Sequence, residues 1–208
     1  MTVPIRVAVV DDHRLMLEGV TRILGSHADI VVVSVAATAD EAVRQFRAHK
    51  PDVTLMDLQL GDGSGVQAIR AIVSDDADAR IVVLTMHSGG EDVFQALSAG
   101  AAAYVLKDAI PEDLIRVVRA VHGGERPLTP EIKALFETRR TQPALTPRES
   151  EVLELLAAGK KDKDIADDLR ISHRTAQVHI RSIYGKLNVH DRTAALAVAV
   201  RLGLVRLR

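Results

Sequence analysis

Val53-Thr54-Leu55-Met56-Asp57-Leu58-Gln59-Leu60 is an apolar run that stops on a carboxylate and continues into Gly61-Asp62-Gly63-Ser64-Gly65. Its first half reads as a short buried strand and the glycine-rich stretch as a loop. In an open parallel sheet, ligands bind just beyond the carboxyl ends of the strands, and Asp57 stands at such an end. A carboxylate there has no packing to do. Either it caps a helix or sits in a loop as a solvated charge, or it carries chemistry.

The residues on either side decide the context. Ile5 to Val10 is an apolar run ending in Asp11-Asp12-His13, followed by Leu15, Met16, Val20, Ile23 and Leu24 at helical spacing and a stop at Gly25. Ile30 to Val35 is a second strand, and Thr38 and Asp40 open a helix with Ala42, Val43 and Phe46. After the strand ending at Asp57, a helix carries Val66, Ile69, Ala71 and Ile72. Arg80 to Thr85 is a fourth strand, Asp92 to Leu97 a short helix, and Ala102 to Leu106 a fifth strand ending in Lys107. Pro111 then opens a helix with Leu114, Ile115, Val117, Val118 and Val121. Short apolar strands alternating with helices predict an α/β domain, a doubly wound five-stranded parallel sheet covered on both faces. No glycine-rich dinucleotide or phosphate-loop signature follows the first strand.

Such a sheet gathers Asp11, Asp12, Asp57, Thr85 and Lys107 at one edge. Crowded carboxylates repel, and a hard divalent cation relieves them; with oxygen ligands only and no thiol, Mg²⁺ suits the set. Lys107 offers a point charge for phosphate oxygens, and Thr85 a hydroxyl. Together they supply what in-line phosphoryl transfer onto a carboxylate requires, neutralised charge around a held nucleophile.

This ordered set, with Tyr104 before the lysine, resembles the receiver domain of bacterial two-component response regulators, a flavodoxin-like fold, over roughly residues 4 to 121. The resemblance implies that Asp57 accepts a phosphoryl group from a phosphohistidine on a sensor histidine kinase. It implies that Asp11, Asp12, Asp57 and the Gln59 carbonyl hold Mg²⁺, that Lys107 pairs with the acyl phosphate, and that Thr85 turns inward with Tyr104 following, a two-state switch. The chain departs from many receivers at Asp108, where they carry Pro after a cis bond; a cis bond before a non-proline residue costs about 3 kcal/mol, and the geometry there stays open. Met86, bulkier than the usual residue, narrows access to the phosphate in this reading. Gln59 and His87 either flank the phosphoryl group and tune its lifetime or, in the case of His87, are loop residues.

Residues 122–143, from His122-Gly123-Gly124 through Thr138-Arg139-Arg140-Thr141-Gln142-Pro143, are polar and punctuated by Gly and Pro. They read as a linker with a turn or two of helix near Glu131 to Glu137. From Leu145 onward there are twelve Lys and Arg against eight Asp and Glu, while the remainder has 15 against 20. The acidic front and basic back point to different partners, the back one polyanionic. Thr146-Pro147-Arg148-Glu149 has the cap, first-position proline and third-position glutamate of a capping box. A helix over Asp162 to Leu169 and the turn Arg170-Ile171-Ser172 lead to a third helix, His173 to Leu187, and a fourth opens at Asn188 or Asp191.

At about 100° per residue, Ala176, Ile180, Ile183 and Leu187 share the buried side of the third helix. Arg174, Val178, Arg181 and Gly185 lie opposite, flanked by Gln177 and Ser182. Arg reads guanine, Gln adenine and Val a thymine methyl in the major groove. A solvated face is the alternative, but the short preceding helix and the tight turn favour a helix-turn-helix.

Leu145-Thr146-Pro147-Arg148-Glu149, Val152-Leu153, Gly159, Ile165-Ala166, Leu169, Ile171-Ser172, Thr175, Val178-His179, Ile183-Tyr184 and Lys186-Leu187 resemble, in order, a LuxR-type DNA-binding domain over about residues 144 to 208. The whole chain is then similar to NarL/FixJ-type response regulators: receiver 1–121, linker 122–143, DNA-binding domain 144–208. The resemblance implies base contacts by Gln177, Val178 and Arg181 and phosphate contacts by Arg174 and Lys186. Double-stranded DNA is the implied partner, bound by a homodimer through the fourth helix, with RNA polymerase a further candidate. Gln177 and Gly185 stand where relatives often carry basic residues, which predicts a shallow salt dependence.

Length and composition agree. A chain of 208 residues accommodates two domains, and 47% apolar with 2% aromatic residues means cores of Val, Leu, Ile and Ala. Cysteine is absent, excluding disulfides and thiolate metal sites. No leader or membrane span is evident, so a soluble cytoplasmic protein with no membrane partner is expected. Two rivals stay open. One is a phosphatase with an aspartyl nucleophile; such enzymes carry a second Asp two residues on, where this chain has Gln59, so a non-enzyme is expected. The other is a DNA-binder whose receiver works unphosphorylated.

Overall fold

From β1 (Ile5–Val10) to the strand that precedes Asp57, strands and helices alternate as the apolar spacing dictates. The computed structural model describes residues 3–61, 63–86, 89–141 and 143–205. The chain divides into two compact units, Met1–Ser88 with Gln95–Ile132, and Gly89–Phe94 with Lys133–Arg208.

Along the chain, β1 is followed by α1 (Arg14–Gly25), β2 (Ile30–Ala36), α2 (Ala39–His49) and β3 (Val53–Met56). A two-residue antiparallel ladder, β4 (Gln59–Leu60) with β5 (Gly63–Ser64), leads into α3 (Gly65–Asp75). Then come β6 (Ile81–Thr85), α4 (Gly90–Ser98), β7 (Ala103–Leu106) and α5 (Pro111–His122). The large sheet is parallel in every pairing, in the order β2-β1-β3-β6-β7. All residues of β3 and β6 are buried, as expected of strands covered on both faces. The core is aliphatic: Val7, Val9, Leu24, Leu55, Val82 and Val118 are among its members. Strand order reverses between β1 and β3, so the crevice at their carboxyl ends is where such a sheet binds ligands.

Local chemistry places the helices. The Thr38 side chain accepts from Glu41 N at 3.2 Å and starts α2. Ser64 does the same for α3 through Val66 N, and Pro111 sits in the first turn of α5.

The interval 122–143 contains α6 (Pro130–Thr141), twelve residues where the sequence suggested one or two turns. Its apolar stripe is weak. The ends nonetheless suit the helix dipole, with Glu131 in the first turn and Arg139 and Arg140 in the last.

The remainder is helical: α7 (Pro147–Ala157), α8 (Asp162–Asp168), α9 (His173–Leu187) and α10 (Arg192–Arg201). The anticipated capping box forms, with Glu149 N donating to Thr146 Oγ1 and Thr146 N donating to Glu149. Ser172 caps α9 and Asp191 caps α10. Val152, Leu153, Ile165, Ala176, Ile183 and Ala199 are fully or nearly fully buried in one core. Among the described residues, no helix is long and apolar enough to cross a membrane.

Candidate phosphoacceptor pocket and DNA-reading helix

The backbone ladder carries the acidic residues to one place. Val10 and Met56 are paired, and the next residue's N–H, that of Asp57, donates to the Val10 carbonyl at 2.9 Å. Asp11 and Asp57 therefore leave neighbouring strands side by side. One ligand oxygen from each of Asp11, Asp12 and Asp57 lies within 4.8 Å of the others. On the far side, Thr85 pairs with Leu106, and Lys107 N donates to the Thr85 carbonyl at 2.9 Å. That register swings Lys107 Nζ to 2.6 Å from both Asp57 Oδ2 and Asp11 Oδ2.

Asp11 is 2% and Asp57 5% exposed, so the cluster is held in a poorly hydrated place; Asp12 is exposed and forms its rim. Burial presses the Lys107 ammonium down, but its hydrogen bonds to Asp11 and Asp57 outweigh it, and its pKa lies above the ordinary lysine value. Three clustered carboxylates have one ammonium among them, held by Asp11 and Asp57. The surplus negative charge, presented on oxygens alone, fits a hard divalent cation.

Gln59 N donates to Asp57 Oδ1 at 3.3 Å, so the turn after β3 orients the carboxylate. The short hairpin brings Gly61 over the pocket, where a Cβ would lie 3.5 Å from Asp12 Oδ2. Gly65 is tighter still. A Cβ there would meet the Asp57 carbonyl oxygen at 2.0 Å and Leu58 Cα at 2.8 Å, and its N–H donates to the Leu58 carbonyl. Only glycine lets α3 begin directly against the Asp57 backbone. Thr85, the last residue of β6, is fully buried, and Tyr104, within β7, is 3% exposed. Met86 is exposed. Among the described residues no peptide bond is cis, so the bond before Asp108 is trans. His87 and Asp62 lie outside the described residues.

In the second unit, the angular reading of α9 holds residue by residue. Ala176, Ile180, Ile183 and Leu187 are buried, while Arg174, Val178, Arg181 and Gly185 are exposed and Gln177 and Ser182 intermediate. Val178 leaves 56% of its surface in solvent, an apolar side chain with no internal packing to satisfy. Arg170 takes the left-handed conformation, φ 52°, in the turn before α9. Ile171 N donates back to the Ala166 carbonyl and Arg148 Nη2 to the Leu169 carbonyl, so the turn is fastened from both sides.

Lys186, for which the family resemblance implies a phosphate contact, has internal partners. Its Nζ donates to Glu149 Oε2 at 2.6 Å and to the Ala144 carbonyl at 2.9 Å. Glu149 also accepts from Ser182 Oγ at 2.6 Å. Burial by itself would push the Glu149 carboxyl up, but the Lys186, Ser182 and Thr146 hydrogen bonds overcome it and hold the pKa at about 2.

Sequence reading missed three things: the direct Asp11–Lys107 pair, the close approach at Gly65, and the second role of Glu149. A glycine opening a helix, where a better helix former would serve, was the one local signal for Gly65.

Comparison with known proteins gives two family matches. A response regulator receiver domain model matches residues 7–119, and a model of bacterial regulatory proteins of the luxR family matches residues 143–199. An uncharacterized transcriptional regulatory protein of Bacillus subtilis, YhcZ, is 39% identical over 208 residues, covering 96% of this chain and 97% of its own. Response regulator protein VraR of Staphylococcus aureus is 34% identical, covering 97% and 99%. The solved complex of the two-component response regulator RcsB with DNA is similar at a TM-score of 0.70 and 26% identity, over 96% of this chain and 99% of that one.

Proposed function

The chain belongs to the two-component response regulators that join a receiver to a LuxR-type DNA-binding domain, and from that premise we propose that Asp57 is its phosphoacceptor and α9 its DNA-reading helix. A carboxylate oxygen of Asp57 attacks the phosphorus of a phosphohistidine on a sensor kinase. The P–N bond breaks, the histidine nitrogen leaves with the electron pair, and an acyl phosphate remains.

The observation that carries this reading is the Asp11, Asp12 and Asp57 cluster with Lys107 at 2.6 Å from two of its members. Asp11, Asp12, Asp57 and the Gln59 carbonyl would hold Mg²⁺, which when bound neutralises charge on the transferring oxygens. Lys107 exchanges its contact with the Asp57 carboxylate for one with the acyl phosphate. Thr85 donates its hydroxyl to the same group and Tyr104 follows, the coupled step that reports phosphorylation. Gln59 has no proton to give or take at the position where aspartyl phosphatases use an acid, so the phosphoryl group is stored rather than turned over. Gln177, Val178 and Arg181 read bases, while Arg174 and Lys186 approach phosphates. A dimer through α10 sets paired half-sites on double-stranded DNA. The protein works in the cytoplasm at a promoter, with RNA polymerase as the candidate downstream partner.

The test is a mobility shift on genomic fragments with and without acetyl phosphate and Mg²⁺. Wild type shifts a defined subset more strongly with the phosphodonor, and Asp57→Asn behaves identically with and without it. An Asp57→Asn protein that still responds would overturn the assignment of Asp57. Catalytic turnover of a small phosphate ester would revive the phosphatase.

A further inference from the structure

Glu149 is 4% exposed, and a buried carboxylate is costly unless its oxygens are satisfied. Here they are, by groups from two elements. The Thr146 N–H donates to it at 2.6 Å from the start of α7, and Ser182 Oγ and Lys186 Nζ donate at 2.6 Å from α9. Ser182 and Lys186 are four residues apart, hence one above the other on the same side of α9. One side chain on the first turn of α7 thus grips α9 at two heights. Two such points restrain the rotation of a helix about its own axis in a way that a greasy contact does not. The reading side of α9, with Val178 and Arg181, adjoins this grip. A roll of about 20° at a side-chain radius of 5–6 Å displaces a tip by roughly 2 Å, enough to break a hydrogen bond to a base edge.

The same contact changes the meaning of Lys186. An ammonium has three N–H donors; Glu149 and the Ala144 carbonyl take two. Its charge is matched by the Glu149 carboxylate 2.6 Å away, within the same domain.

Resting on the DNA-binding reading above, we infer that Glu149 is a positioning residue, which sets the roll of α9 for base reading and withdraws the Lys186 charge from the set that meets DNA phosphate. Lys186 then supplies a hydrogen bond to phosphate as half of a neutral pair and releases no counterion.

The test uses the full chain and two probes: a duplex recovered from a random library by the wild type, and a random-sequence duplex of the same length, each titrated over a range of KCl. Glu149→Gln keeps the shape and the capping-box chemistry but loses the charge. Its preference for the recovered duplex falls by about tenfold, and the salt slope on the random duplex steepens by about 0.9, one phosphate's worth. Ser182→Ala keeps the ion pair, loses about threefold in preference and leaves the slope alone.

A role in stability only would weaken both duplexes equally, leaving preference and slope unchanged, and would overturn the inference. Lys186→Gln covers the case in which Glu149→Gln does not fold. An unchanged random-duplex slope supports the masking, and a slope shallower by about 0.9 overturns it. A wild type that recovers no sequence above background fails differently, since it removes the DNA-binding reading itself.

Discussion

Two buried ionic clusters organise this chain, and they are built to opposite ends. At the edge of the receiver sheet, three clustered carboxylates share a single ammonium, which touches two of them. In the helical unit, one carboxylate meets one ammonium, a hydroxyl and a backbone N–H, with each contact at 2.6 Å. The first is left with negative charge unbalanced and one member, Asp12, in solvent. The second is neutral and closed. An unbalanced cluster of this sign answers to an arriving cation. A neutral one draws no counterion and holds geometry.

The contrast is sharpest at the two lysines. Lys107→Met leaves Asp11 and Asp57 facing each other without compensation, and breaking a buried pair of this kind costs about 3–5 kcal/mol. Urea unfolding in EDTA should show that loss. Millimolar Mg²⁺ should recover a larger share of stability for this variant than it adds to wild type. Equal Mg²⁺ effects in both would mean that the cluster carries no surplus charge.

Gly65→Ala tests the steric side of the same pocket. A methyl group 2.0 Å from the Asp57 carbonyl oxygen forces the backbone apart. Overpacking of this kind costs about 1–3 kcal/mol or more, and labelling by acetyl phosphate should slow at least tenfold. Normal labelling would show that the start of α3 does not position the acceptor.

The closed cluster can be opened with acid. The folded pKa of Glu149, about 2, lies below the ordinary glutamate value of 4.5. Its contribution to stability is therefore fully present above pH 4.5 and is lost as pH falls through 2. On that difference, wild type should lose roughly 2 kcal/mol of this contribution between pH 7 and pH 3, and Glu149→Gln should not. Urea titrations of both proteins at the two pH values isolate the term, and parallel losses would discard it.

The smallest effect is on the metal side. At ten times its dissociation constant, Mg²⁺ should stabilise the wild-type receiver by about 1.4 kcal/mol and leave the helical unit's transition where it is in EDTA. A shift of both transitions would erase the distinction between the clusters.

Much of this was legible in the chain. Period and punctuation placed Asp11, Asp57, Thr85 and Lys107 at strand ends, because parallel strands between helices must all point one way. Helical angle alone separated Ala176, Ile180, Ile183 and Leu187 from Arg174, Val178 and Arg181. What stayed hidden depends on elements far apart in sequence. Gly65 is required by the backbone carbonyl of Asp57, and a glycine opening a helix is only an indirect sign of that contact. Glu149 looked complete as a capping box, and nothing near it signals Ser182 and Lys186, which are 33 and 37 residues away. The small β4–β5 hairpin is two residues per strand, below the length at which alternation can be read. Helix α6 has too weak an apolar stripe to advertise its twelve residues.

Arg148 and Arg192 each reach a carbonyl near a helix end, at Leu169 and Leu156, where the helix carries about half a negative charge. With Lys186 paired as well, a count of basic residues overstates the field that this domain projects into solution. Weak long-range attraction puts its encounter with DNA nearer the orientation-limited range, about 10⁵–10⁶ M⁻¹s⁻¹, than the steered one. Such a domain gains little by arriving sooner and much by leaving later. Joining two copies on adjacent half-sites lengthens the stay through effective concentration. A phosphorylation signal that acts through pairing would then be written in dwell time on the promoter, not in the speed of finding it.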